Sequence, residues 1–158
     1  MSTEIAIQTQ QFLTFQLAAD TLAMMPTGQL AEILSINLAQ IVEIPDMSAA
    51  VMGATNWRGE VLWLVDLGYY LGFESFSMPT NSQATCNVII IRSRDRIIGF
   101  VVEKVRKMVR CDVSQIQPAR SGQTSPQLER CLKGYWLAAK QEMFLALDGD
   151  ALVRAFDL

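Results

Sequence analysis

The chain has 158 residues, 51% of them hydrophobic and 18% charged, with thirteen basic against sixteen acidic side chains and a net charge of −3. A chain of this size and makeup is globular and buries its core without staples, and it lacks the basic stripe of a nucleic-acid binder. It contains no histidine, which excludes Ser-His-Asp and Cys-His catalysis, imidazole metal sites and histidine phosphotransfer from this chain. Cys86, Cys111 and Cys131 are odd in number, far apart and without a Cys-x-x-Cys pair, so neither a zinc site nor a disulfide framework is implied. Free thiols suit a reducing cytosol. The opening "MSTEIAIQTQQ" is no signal peptide, and no apolar run approaches the roughly 18 residues of a membrane span. The expectation is a cytoplasmic protein without direct membrane insertion, its first ten residues flexible.

Short strands dominate the reading in chain order. In "FLTFQLA" Leu13, Phe15 and Leu17 alternate with Phe12, Thr14 and Gln16, the period of a half-buried strand. "QLAEILSI" fits either a helix, from the spacing of Leu30, Ile33 and Leu34, or a strand. Pro45 and Asp46 break "VEIPDMSAAVMGATNW" before a strand that runs toward Trp57. Arg58-Gly59 then makes a tight turn, glycine taking a positive φ. "EVLWLVDL" follows as a strand apolar on both faces, hence buried on both. Asp66 caps a single helical turn that ends at Gly72, and "SFSMPTNSQAT" is a loop.

The second half repeats the habit. "NVIII" and "IIGFVVEKV" form a hairpin about the charged turn "RSRDR". "MVRCDVSQIQP" is a further strand, and "PARSGQTSPQLERC" is a loop with a short segment. "EMFLALDGDALV" then pairs an apolar strand with Asp148, as the earlier strand does with Asp66. Gly53 precedes Asp66 by 13 residues and Gly134 precedes Asp148 by 14, which suggests two lobes built from one unit. Many short strands with frequent turns predict an all-β fold with short helices, two small barrels packed together, closure removing the sheet edges.

At "IPDMSAAVMGATNWRGEVLWLVDLGYYLG" the chain resembles the CheW family, adaptor proteins of bacterial chemosensory arrays. The residues that carry the likeness are Ile44, Pro45, Val51, Gly53, Asn56, Arg58, Gly59, Val61, Asp66, Leu67, Leu71 and Gly72. It continues in "MPTGQLAEIL", "GFVVEKVRKMVRCDVSQIQP" and "LKGYWLAAKQEMFLALD", nearly the whole chain. The sequence departs from the family pattern at Trp63, where a proline is usual, at Glu103, where an aspartate is usual, and at Trp57, in place of a smaller aliphatic residue. The resemblance implies one CheW-like domain over residues 1–158, made of two interlocked five-stranded SH3-like barrels. It implies a non-catalytic adaptor without cofactor or metal, recruited to membrane-associated receptor arrays. Its partners would be the regulatory domain of a CheA-type histidine kinase and the cytoplasmic tip of a chemoreceptor or photoreceptor coiled coil. No nucleic acid is implied.

On that basis Leu30, Glu32, Gly53, Asn56, Trp57, Arg58 and Gly59 are the candidate partner-binding residues. Arg58 offers a planar fork suited to carboxylates or carbonyls; the alternative is a surface arginine closing a hairpin or pairing with Glu60. Gly53 and Gly59 read first as turn-formers, though a side chain at Gly53 would stand in the way of a docking helix. Asp66 and Asp148 read as helix caps in preference to an acid–base pair. Met24, Met25, Met47, Met52 and Met108 belong to the core or to an adaptable groove. Two other classes compete: a small hydrolase or isomerase built on carboxylates, and an SH3-like peptide or protein binding module of another pathway.

Overall fold

The computed structural model describes residues 8–76, 83–119, 122 and 124–158. Most of the segment expected to be flexible, and the middle of the "SFSMPTNSQAT" loop, lie outside the described residues. Thr9 and Gln10 already belong to the first strand.

Ten strands and three short helices follow one another: β1 (Thr9–Ala18), β2 (Thr21–Pro26), β3 (Leu30–Asn37), β4 (Val51–Trp57), β5 (Glu60–Asp66), α1 (Leu67–Tyr70), β6 (Thr85–Ser93), β7 (Arg96–Val102), β8 (Lys104–Asp112), α2 (Pro126–Cys131), β9 (Leu132–Leu137), β10 (Met143–Leu147) and α3 (Gly149–Arg154). The segment left open between helix and strand is β3. A single 3-10 turn over Thr27–Gln29 precedes it, and its side chains alternate between half-buried and exposed along β6.

The strands form two five-stranded sheets, ordered β8-β1-β2-β10-β9 in the first barrel and β3-β6-β7-β5-β4 in the second. Each contains one parallel pair, β10 with β2 and β5 with β7. The chain is thus two consecutive repeats, each a hairpin followed by three strands. The hairpin of each repeat closes its barrel with the three strands of the other. The barrels are interlocked by topology.

Three apolar clusters follow from that exchange. Leu62, Leu64, Val88, Ile90 and Trp57 fill the second barrel, and Phe12, Met24, Phe144 and Ala146 fill the first. The largest cluster lies between them and draws Leu13, Phe15, Ile89, Ile91, Phe100, Leu147 and Leu152 from both repeats and the helices. This explains the unbroken run in "NVIII": Val88 and Ile90 point into a barrel while Ile89 and Ile91 point into the shared core. It also corrects two expectations. The strand β1, expected half-buried, is buried on both faces from Phe12 to Phe15. By contrast β5, expected buried on both faces, starts in solvent, with Val61 65% exposed and Trp63 half-buried.

Candidate functional site

The two outer strands of the second barrel, β3 and β4, share no backbone ladder. Side chains bridge that seam. β4 and β5 are joined by a two-residue turn, Trp57 pairing with Glu60. Arg58 and Gly59 have φ of 51° and 80°, the positive values of a hairpin turn that matches strand twist. Asn56 braces it, its side-chain oxygen accepting the Gly59 N–H at 3.0 Å. The turn aims Arg58 back across the seam. Its Nη2 lies 3.2 Å from the Glu32 carboxylate, and its guanidinium carbon sits 5.0 Å from the centroid of the Trp57 ring.

Trp57 holds this arrangement. Its ring is buried in the second barrel, and its Nε1–H donates to Glu32 Oε2 at 2.9 Å. Glu32 is therefore tied to the barrel by the indole and to the turn by the guanidinium. The Arg58 side chain stays 70% exposed, so the ion pair itself adds under ~1 kcal/mol of stability. What it does instead is limit the rotamers of a long side chain whose other N–H donors meet no acceptor among the described residues. In the alternative reading Arg58 would pair with Glu60; its ion pair is with Glu32 instead.

Of the residues marked from the sequence, Glu32, Asn56, Trp57, Arg58 and Gly59 come together here, and Leu30 opens β3 beside them. Leu30, Trp57 and Arg58 share one shallow depression of about 490 Å³ with Arg92 and Arg94 from the β6–β7 turn. Gly53 does not belong to the cluster and is no turn-former. It lies inside β4 at a bulge, with φ of +147°, and a Cβ there would fall 2.3 Å from the Val42 carbonyl oxygen. Its missing side chain makes room for the chain's own backbone. Gly134 repeats the arrangement in the first barrel, where a Cβ would meet the Gln117 carbonyl oxygen at 2.1 Å.

Asp66 and Asp148 cap helices. Asp66 accepts from the Tyr69 N–H, the Ser75 hydroxyl and the Phe76 N–H, and Asp148 accepts from the Asp150 and Ala151 N–H groups. Gln29 adds a contact across the repeats, donating to Asp148 and accepting the Gly149 N–H at 2.7 Å.

Sequence reasoning missed that the first barrel has its own clasp. Arg106 on β8 reaches Glu142 before β10 at 3.1 Å and lies 5.9 Å over the Phe144 ring. The polarity is reversed: here the outer strand supplies the cation. The signal was present in the repeat of Gly53 and Gly134, but a charge swap hides it. Met108, Leu137 and Met143 stand exposed in these strands, while Met24 and Met25 are fully buried. The three cysteines are buried. Burial, then the Asp112 carboxylate, pushes the Cys111 thiol up to about 11. Burial, then the Asp148 carboxylate, pushes Cys131 to about 11. At neutral pH both are thiols and poor nucleophiles. Among the described residues no group of His, Cys, Asp and Glu could hold a metal ion, and no helix is long and apolar enough to cross a membrane.

The fold is a pair of SH3-like barrels, one of which carries a braced arginine at its rim. Residues 11–157 match the CheW-like domain, and the chain belongs to the CheW-like domain family. It is 28% identical over 109 residues to a probable chemotaxis protein CheW of Rhizobium etli, a match covering 69% of this chain and 66% of that protein. The chain thus aligns with just under two thirds of that relative's length. The crystal structure of the scaffolding protein TtCheW from Thermoanaerobacter tengcongensis shares the fold, with a TM-score of 0.71 over 89% of each chain at 17% identity.

Proposed function

We propose that this chain is a non-catalytic adaptor, acting as one unit of two barrels in the cytoplasm, that couples a chemoreceptor or photoreceptor coiled-coil tip to the regulatory domain of a CheA-type histidine kinase. The observation that carries the reading is Arg58. A turn-borne guanidinium stacked on a buried indole and tied to Glu32 is a donor fork held ready for a partner at little further entropic cost. Leu30, Asn56 and Gly59 frame it, while Gly53 acts behind the surface by shaping β4. Catalysis has little to work with, since the sequence lacks histidine and Cys111 and Cys131 are protonated at neutral pH.

Two patches of about 600–1,000 Å² each suffice for such a role. Micromolar affinity, about −8 kcal/mol, is enough when an array supplies many contacts at once. The kinase then responds by a population shift between states that the adaptor contacts differently. Calorimetric titration with the regulatory domain of a CheA-type kinase, and separately with a receptor-tip fragment, tests this. Micromolar binding to both is expected, with Arg58→Gln weakening at least one about tenfold while the melting temperature shifts by no more than loss of an exposed ion pair, under ~1 kcal/mol, allows. Absence of binding to either would move the chain to the SH3-like module of another pathway.

A further inference from the structure

The depression beside Arg58 collects more positive charge than the proposed coupling role accounts for. Arg92 leaves the end of β6 and Arg94 sits in the β6–β7 turn with φ of 57°, both exposed. The register Leu30 to Ile91 sets them beside the start of β3, so Arg58, Arg92 and Arg94 line one bowl. This happens in a chain of net charge −3. Three acids are near in sequence or space. Glu32 is taken by Trp57 and Arg58, Asp95 follows Arg94 in the turn, and Glu60 follows Gly59. Among the described residues neither Arg92 nor Arg94 forms an ion pair.

We propose that this bowl binds an acidic segment of a partner protein, with carboxylates on Arg58, Arg92 and Arg94. This rests on the reading of the Arg58 rim as a docking surface and names the chemistry that docks there. Planar guanidinium forks match carboxylates in bidentate geometry. The floor, with Gly28, Ala31 and half-buried Leu30, leaves room for small apolar side chains between the acids. A nucleic acid fits less well. Single strands need open aromatic faces for stacking, and among the described residues the only aromatic lining the bowl, Trp57, is buried beneath Arg58. The overall acidity also works against a long polyanion.

The test uses the full chain and a fluorescein-labelled twelve-residue peptide of alternating Glu, Ala and Leu, read by anisotropy at low salt. A Gln-for-Glu version of the peptide and a dT12 oligonucleotide serve as the other probes. The acidic peptide is expected to bind and the Gln version to bind at least tenfold more weakly. Arg92→Gln with Arg94→Gln should weaken the acidic peptide about tenfold at an unchanged melting temperature. Arg110→Gln, exposed on β8, should leave it unchanged. Arg94→Lys should restore only part of the affinity, since it keeps the charge and loses the fork. Equal affinity of parent and double variant would overturn the proposal, as would tighter binding of dT12 through the same arginines. Failure of the kinase and receptor titrations with this peptide binding intact would remove the coupling role and leave the acidic site standing.

Discussion

Substituting Gly53 by alanine is expected to damage the barrel before it damages any docking surface. The added Cβ would lie 2.3 Å from the Val42 oxygen and 2.9 Å from its carbon, closer than real Cβ contacts come. Backbone must therefore move. The Val42 peptide is held by two hydrogen bonds to Ala54, of 2.8 and 2.9 Å, and loosening both costs roughly 0.5–1.5 kcal/mol each. A φ of +147° adds about 1–3 kcal/mol for any residue with a side chain. The total is about 2–6 kcal/mol. At roughly 2–4 °C per kcal/mol for a domain of this size, the melting temperature should fall by at least ~4 °C. Circular dichroism with temperature and with urea reads this directly, and Gly134→Ala should behave alike in the first barrel. A melting temperature within ~1 °C of the parent, together with lost partner affinity, would refute the reasoning. It would mean that the bulge relaxes freely and that Gly53 matters for its outer surface.

Asp66→Ala removes a cap and leaves the half-buried Phe76 N–H without its acceptor as well, so it should cost roughly 2–4 kcal/mol by urea denaturation, with Asp66→Asn milder because one acceptor survives. Alkaline pH should destabilise the fold through its thiols. Cys111 and Cys131 titrate near 11 when folded against an ordinary 9.0, so the folded state holds protons that the unfolded state has lost. Their stabilising contribution is complete below pH 9 and fades as pH rises through 11. Melting temperatures measured from pH 8 to 11 should fall, and Cys111→Ala with Cys131→Ala should flatten that slope; an unchanged slope would contradict the burial argument. Trp57→Phe keeps a ring under Arg58 but leaves Glu32 without the indole donor. It should therefore lower stability by roughly 1.5–3 kcal/mol and loosen Arg58, read as a weaker grip on whichever partner Arg58→Gln affects.

The strands, the two caps and the hairpin turns could be read along the chain because each depends on neighbours in sequence. Asp66 and Asp148 announce themselves by an apolar run before and a short helix after. The exposure of β1 and β5 could not be read that way. Whether Phe12 or Val61 is covered depends on which repeat supplies the strands opposite, and that pairing is set by the shared core. The site was legible in its members and not in its wiring. Glu32 and Arg58 both stood out, but their link runs through Trp57, which closes a seam between strands with no ladder. Gly53 looked like a turn because glycine in a strand carries no mark of the carbonyl that crowds it. The RSRDR turn could be read as a hairpin turn, but its place beside Leu30 depends on the register of β3 with β6.

The exchange of hairpins between repeats also orders events during synthesis. All five strands of the second barrel exist once the ribosome has passed Val102, whereas the first barrel cannot close until β10 ends at Leu147. At roughly 5–20 residues per second the opening hairpin, Thr9 to Pro26, waits about 6–24 seconds for β10 to end at Leu147, its apolar faces held only by whatever part of the second barrel has already folded. The same geometry means that a cut between the repeats yields no independent halves. Each fragment would carry two hairpins without their partners and one strand, β3 or β8, with no neighbour to pair with, and only their reassociation would rebuild either barrel.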